Sequence, residues 1–382
     1  MKWDLLISTA QHPEFTAQEV IRRSVSMAKL ADELNFDTAW ILEHHFTHYG
    51  ILPSPYGMAG HLLGVTNRLK VGTAISTVTL DHPLRTAENV AALDQLSEGR
   101  FILGVGRGGF LKDFRAFGID PTTSRERMGE YMDVIHQAWE TGRASADGEF
   151  VKFDEVPVLP ETYTKNGPPV YAVATSPSSM EWSAKRGYPM LMNWLFEDEE
   201  KVSDLEYYSE IAAEAGYDPA SIDHALNILV SVTENKEETL ATTRKYLSWW
   251  MDEYVRATEM YNADTQGLKS YEYHQDQWKN WAHKKVNTTD ARVNRAIRLN
   301  VIGSTQECIE RLHELIELTG LNRFICAFET LGHTDKVLES MRIFKERVAP
   351  EVEKLIGVNV LNENVNNSRA EEETPTIEIM GA

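Results

Sequence analysis

Two hydrophobic periods alternate along the chain. The opening stretch Lys2-Trp3-Asp4-Leu5-Leu6-Ile7 is a short, mostly apolar run, as a buried strand requires. Residues 17–34 then set Val20, Ile21, Val25, Ala28, Leu30 and Leu34 at helical spacing. This two-part unit recurs. Apolar runs near residues 3, 37, 69, 101, 170, 189, 225 and 322 read as strands, and each is followed by helical sequence. The predicted helices cover about 53–66, 84–97, 124–142, 176–185, 199–215, 236–260, 305–318 and 334–347, with 84–97 closing in a left-handed cap at Gly99. Repeated strand–helix units predict a (β/α)8 TIM barrel rather than a doubly wound sheet. The chain is longer than such a barrel needs, so insertions are expected at 145–168 and 262–292. The second is polar and aperiodic, carries Lys279, Lys284, Lys285 and Arg292 late, and reads as a lid. Beyond residue 357 the periodicity stops and Glu371-Glu372-Glu373 appears. Residues 1–357 are therefore expected to form one domain, and 358–382 a disordered acidic tail.

Charge narrows the partners. A formal charge of −20 argues against nucleic acid and anionic membrane surfaces. Two cysteines, Cys308 and Cys326, cannot build a disulfide framework, which favours a reducing cytoplasm. The first apolar stretch carries Asp4 and lacks a basic leader, so it reads as a strand and not a signal peptide. No apolar run approaches the roughly 20 residues of a membrane span.

The chemistry gathers at the predicted strand ends, where barrel enzymes place their active sites. The strand at 37–42 stops in Glu43-His44-His45-Phe46. Neighbouring strand residues point to opposite faces, so His44 and His45 should not share a role. On residues alone, an acid/base histidine and a structural one are equally open. Zinc does not fit, because adjacent histidines diverge and no His-Glu-x-x-His spacing occurs. No metal site is expected. Ser176-Pro177-Ser178-Ser179 is a helix start whose amides and hydroxyls suit a phosphate, although an ordinary cap uses the same residues. Arg107 and Arg125 offer counter-charge. Gly104-Val105-Gly106 lacks the context of a dinucleotide fingerprint, so a mononucleotide fits better than NAD. Trp194 and the apolar strand ends can wall a flat ring. No nucleophile triad or carboxylate pair is legible, which leaves the chemistry to a bound cofactor.

Several segments together resemble the α subunit of bacterial luciferase. They are Leu42-Glu43-His44-His45-Phe46-Thr47, Ala59-Gly60-His61-Leu62-Leu63-Gly64, Val71-Gly72-Thr73-Ala74, His82-Pro83 and Leu93-Asp94-Gln95. The likeness continues through Gly99-Arg100-Phe101, Lys112-Asp113-Phe114-Arg115, Ala212-Ala213-Glu214-Ala215-Gly216-Tyr217, Ile222-Asp223-His224, Gln277-Trp278 and Gly303-Ser304-Thr305-Gln306-Glu307-Cys308. About the last 30 residues lie outside it. The resemblance implies reduced FMN, O2 and a long-chain aliphatic aldehyde as reactants, with carboxylic acid and light as products. It implies that His44 is the catalytic imidazole and that His45, with Glu88, faces a partner. It sets Ala74-Ile75 at a non-proline cis peptide beside the flavin ring. Arg107, Arg125, Ser176 and Ser179 fall on phosphate contacts, and Gly106, Val173, Thr175 and Trp194 line the cofactor. Phe46, Phe114, Trp250, Lys284 and Arg292 fall on substrate and lid positions. A β-type subunit is implied as partner, with a homodimer as the alternative, and a separate flavin reductase as the source of reduced FMN. Helices 53–66 and 84–97 match the family's interface helices, where Gly57 and Gly60 would permit close approach.

The chain departs from the family at Gly106, where many members carry a cysteine, and at Gly109, Phe110 and Thr175. Gly106, Gly109 and Phe110 together are expected to open the pocket around the ring. Three readings compete: a light-emitting aldehyde monooxygenase, a related flavin monooxygenase with another substrate and no useful light, and a non-catalytic partner subunit. His44 and the 262–292 insertion favour a catalytic chain over the last.

Overall fold

The structure, a computed structural model, describes residues 1–259 and 288–357. The tail beyond 357 and most of the predicted lid, Lys284 included, lie outside the described residues. Eight parallel strands close into a barrel: β1 (Lys2–Ile7), β2 (Thr38–Ile41), β3 (Lys70–Thr73), β4 (Phe101–Gly106), β5 (Val170–Val173), β6 (Met190–Met192), β7 (Ala225–Val232) and β8 (Arg323–Ala327). Each pairs with its sequence neighbour, and β8 returns to β1 through Trp3 beside Phe324 and Leu5 beside Cys326. All the predicted barrel strands are found. The helices around it are α1 (Ala17–Glu33), α2 (Pro55–Val65), α3 (Pro83–Ser97), α4 (Leu111–Phe117), α5 (Ser124–Thr141), α6 (Pro177–Ala184), α7 (Asp198–Glu214), α8 (Lys236–Thr258), α9 (Thr289–Leu299), α10 (Thr305–Thr319) and α11 (Thr334–Ile343).

Strand alternation sorts the side chains into two cores. Leu5, Ile7, Ala39, Ile41, Val71, Phe101, Leu103 and Val105 point outward and pack beneath the helices. Leu6, Trp40, Ile102, Tyr171, Leu191, Leu229 and Ile325 fill the interior. Trp40 is the largest of these and needs space. A Cβ on Gly72 would sit 2.6 Å from its ring, so only glycine fits on the adjoining strand. At the closed lower end, Trp40 donates to Asp4, which also accepts from Arg323 at 2.8 Å; Arg323 reaches Asp37 and Asp223 as well.

The differences from the pattern have local causes. Helix α3 ends in two successive left-handed residues, Glu98 and Gly99, with the Gly99 amide on the Asp94 carbonyl. Strand β3 stops at Thr73, and Ser76–Thr77 pairs separately with the end of β4 across a cis Ala74-Ile75 bond. The insertion at 145–168 begins in an antiparallel hairpin, Arg143–Asp147 with Lys152–Pro157. Helix α4 and the edge strand Val301–Gly303 are too short for periodicity to reveal, and α9 begins inside the segment predicted as a lid. The final helix runs past Ile343 through a π-turn at Phe344–Val348.

Candidate active site at the carboxyl ends of the strands

The chain after β2 turns over the barrel mouth and points His44 and His45 apart. The His44 ring lies parallel to Phe110, with centroids 4.9 Å apart, and edge-on to Tyr49 at 4.9 Å. Its Nε2 is buried and makes no hydrogen bond. Burial pushes the His44 pKa down to about 3, with the charges of His45 and Lys112 adding to the effect. The imidazole is therefore neutral across the physiological range, with one ring nitrogen buried and unpartnered. Tyr49 stacks on Trp250 of α8 at 5.3 Å, and Trp250 stacks on Trp194 at 5.8 Å. An aromatic wall thus runs from the end of β2 to the end of β6. Tyr49 was not legible as a site residue, because a tyrosine in a loop carries no periodic signal.

The adjoining wall is aliphatic. Gly106 ends β4, Ile75 follows β3 and Val173 ends β5, and the Ile75 and Val173 side chains both close on Gly106. A Cβ on Gly106 would lie 2.6 Å from Ile75 Cδ1 and 2.9 Å from Val173 Cγ1. The expectation that Gly106 opens the pocket is therefore wrong, since Ile75 and Val173 occupy that space. Gly109 does face open space, with nothing within 4 Å of its Cβ position. Gly106→Cys is expected to cost about 1–3 kcal/mol by overpacking. Thermal melting would read this loss, and a second substitution, Ile75→Ala, should recover most of it.

Three hydroxyls gather beyond Val173. Ser176 caps α6, its amide donates to Ser179 Oγ at 3.0 Å, and its own Oγ lies 2.9 Å from Ser179 Oγ and 3.5 Å from Ser178 Oγ. Thr175 precedes this cap. Arg107 donates to Ser124 Oγ at the start of α5. The next residue, Arg125, lies near α6: the Glu181 carboxyl is held below its usual range mainly by Lys185, with Arg125 pulling the same way. The serine hydroxyls and the N-terminus of α6, with Arg125 near α6 and Arg107 on the preceding Ser124, are groups that suit a phosphate dianion.

Other predicted residues stand elsewhere. Phe114 does not line the mouth: it is wholly buried against Leu111, Leu80 and Ile119. Arg292 is not on a lid but on α9, where it binds Asp252 of α8 at 2.9 Å. Phe46 is 65% exposed with φ of 54°, its carbonyl held by Lys112. His45 is mostly covered within the chain, 3.3 Å from Glu43 and edge-on to Phe117. Glu88 is exposed on α3. Gly60 faces Leu93 of α3, so it serves packing inside the chain, whereas Gly57 is open.

Asp113 was missed as an individual residue. It is buried beside this cluster, and its Oδ1 has no hydrogen-bond partner. Burial raises its pKa to about 6; the charges of His45 and Lys112 oppose this, and those of Glu43 and Glu259 add to it. A carboxyl raised in the folded state contributes stability below its unfolded value and loses it as pH rises through about 6. Asp113→Asn is therefore expected to melt higher than the parent at pH 8, with the gain vanishing by pH 4. Equal melting shifts at both pH values would contradict this.

The closed parallel barrel thus carries aromatic side chains at the carboxyl ends of its strands, beside a serine-capped helix start. Residues 1–323 match the luciferase-like monooxygenase family, and the chain belongs to it. It is 40% identical over 350 residues to the alkanal monooxygenase alpha chain of the Kryptophanaron alfredi symbiont, covering 92% of this chain and 98% of that one. Identity to the beta chain from Photorhabdus luminescens is 29% over 348 residues, covering 91% and 98%. Among solved structures, monooxygenase RslO1 from Streptomyces bottropensis superposes with a TM-score of 0.78 at 23% identity, covering 92% of this chain and 99% of that one. The FMN complex of the oxygenating constituent of 3,6-diketocamphane monooxygenase from Pseudomonas putida gives 0.75 at 18% identity, covering 92% and 98%. The barrel is thus shared far more widely than the sequence.

Proposed function

We propose that this chain is the catalytic subunit of a monooxygenase that converts long-chain aliphatic aldehydes to carboxylic acids with reduced FMN and O2, emitting light. The observation that carries this reading is the neutral His44, with its buried unpartnered Nε2, on an aromatic wall adjoining the Ile75–Gly106–Val173 surface and the serine–arginine corner. Those groups fit FMN: Ser176, Ser179, Arg107 and Arg125 for the phosphate, and Ala74, Ile75, Gly106, Val173 and Trp194 for the ring. Reduced FMN, when bound, supplies the two electrons that O2 needs; one oxygen atom goes to the acid and the other leaves as water.

The protein's own part is then physical. The arginines and hydroxyls fix the cofactor at the barrel rim. Trp194, Trp250, Tyr49 and Phe110 keep water from the reacting centre. His44 Nε2, neutral and unpartnered, would accept a hydrogen bond from the reacting group, its low pKa returning any proton it takes up. The exposed faces of α2 and α3, with Glu88, would receive a β-type subunit, a second copy of this chain being the alternative. A flavin reductase in a reducing cytoplasm would supply the reduced cofactor. Among the described residues no helix is long and apolar enough to cross a membrane.

Cofactor choice is tested by Arg107→Ala. A charge-assisted hydrogen bond lost from the phosphate is worth about 1.5–3 kcal/mol, so FMN should bind about 10- to 150-fold more weakly. Riboflavin, which lacks the phosphate, should bind the variant and the parent alike. Equal weakening of both ligands would contradict the phosphate assignment.

A further inference from the structure

A second cleft opens at the barrel mouth on the side away from the serine–arginine corner. Its wall is aromatic and aliphatic, formed by Ala10, Phe15, Tyr246, Trp249, Trp250 and Ala327. Arg23 and Glu329 stand at its polar end, 4% and 7% exposed and 3.6 Å apart. Glu329 accepts from the Ser8 amide at 2.7 Å, and Arg23 donates to the carbonyls of Gly332 and Ala10. Arg23 Nε and Glu329 Oε1 are buried without a hydrogen bond, Oε1 facing Arg23 Nη2 across the 3.6 Å ion pair.

The cleft adjoins the His44 pocket at two points. Trp250 lines the cleft and also forms the middle of the aromatic wall, stacked on Tyr49 and Trp194. At Gly50 the two sites nearly touch, since a Cβ there would lie 2.7 Å from His44 Cδ2 and 2.9 Å from the carbonyl oxygen of Ser8, a cleft residue.

We propose that this cleft takes the alkyl tail of the aldehyde whose carbonyl is handled at His44, and that the Arg23–Glu329 pair sets the limit of chain length. This rests on the aldehyde reading above. Apolar walls gain from each methylene they cover, and Trp250 belongs both to these walls and to the aromatic wall beside His44. A methylene that reaches the pair instead meets two charged groups already out of water, which offer no apolar surface to cover, so the gain stops there. The cleft is thus a ruler with a polar end.

The test measures KM and kcat for acid formation from hexanal, decanal and tetradecanal, in the parent and in Ala10→Phe and Ala327→Leu. Neither residue touches the proposed cofactor corner. With the cleft filled, KM for decanal should rise by about fourfold per excluded methylene, while KM for hexanal and FMN affinity change less than twofold. In the double variant Arg23→Met/Glu329→Leu, the preferred chain should lengthen, with tetradecanal gaining on decanal. Unaltered chain-length profiles in folded, FMN-binding variants would overturn the inference and leave the aldehyde reading intact. A parent that forms no acid from any of these aldehydes would overturn both. Because the two fillings lie on different elements, failure of one to fold leaves the other to decide.

Discussion

His44→Ala is expected to lower acid formation and light by about 10²- to 10⁴-fold, with FMN affinity nearly unchanged. The ring touches Tyr49 and Phe110 and carries one buried nitrogen with no partner, so its removal takes away a proton-handling atom and little structural support. A purely structural histidine would behave otherwise: its loss would lower melting temperature and activity together. The pH dependence separates the cases further. The folded pKa, near 3, lies below the usual 6.5, so His44 stays neutral through the working range. No activity break near pH 6.5 should come from it. Its contribution to stability is present above 6.5 and is lost as pH falls toward 3, because the unfolded chain takes up the proton first. In the Ala variant that acid loss should be smaller. Urea titrations of both proteins between pH 7 and 4 would read the difference.

Arg323→Met is expected to destabilise the fold by about 3–5 kcal/mol without altering the chemistry of the mouth. Arg323 is 4% exposed and Asp4 fully buried, and Arg323 holds Asp4, Asp37 and Asp223 together at the lower end of the barrel. Removing the guanidinium leaves the Asp4 carboxylate in the interior with only the Trp40 N–H. The penalty is that of an uncompensated buried charge, which exceeds the net worth of the pair itself. Asp4→Leu in the same chain should therefore recover much of the loss. Chemical unfolding of the single and double variants measures this, and equal losses in both would contradict it. Activity measured well below the melting temperature should be close to that of the parent, since the catalytic end lies across the barrel.

The barrel was legible because each of its strands is a short apolar run followed by an amphipathic helix, and that pattern depends only on local burial. His44 was legible as a candidate because an apolar run ended abruptly in titratable groups. The serines at 176–179 were legible because cap and phosphate chemistry use the same residues. What escaped was set by tertiary packing. Nothing in the sequence near Gly106 says that Ile75 and Val173 fill its side-chain volume, because these three lie at or just beyond the ends of different strands, brought together only by barrel closure. Phe114 sits one helical turn from the mouth yet faces a small core of its own. The pairing of Arg23 with Glu329 joins residues at opposite ends of the chain, and no spacing rule links them.

The most direct test of the central claim is a single-turnover mixing experiment. Photoreduced FMN would be mixed with the purified chain, with and without a β-type subunit, in aerated buffer containing decanal. Photons and decanoic acid would be counted together. The account predicts acid and light in step, both strongest with the β-type subunit. Binding of FMN with neither acid nor light under either condition would contradict it.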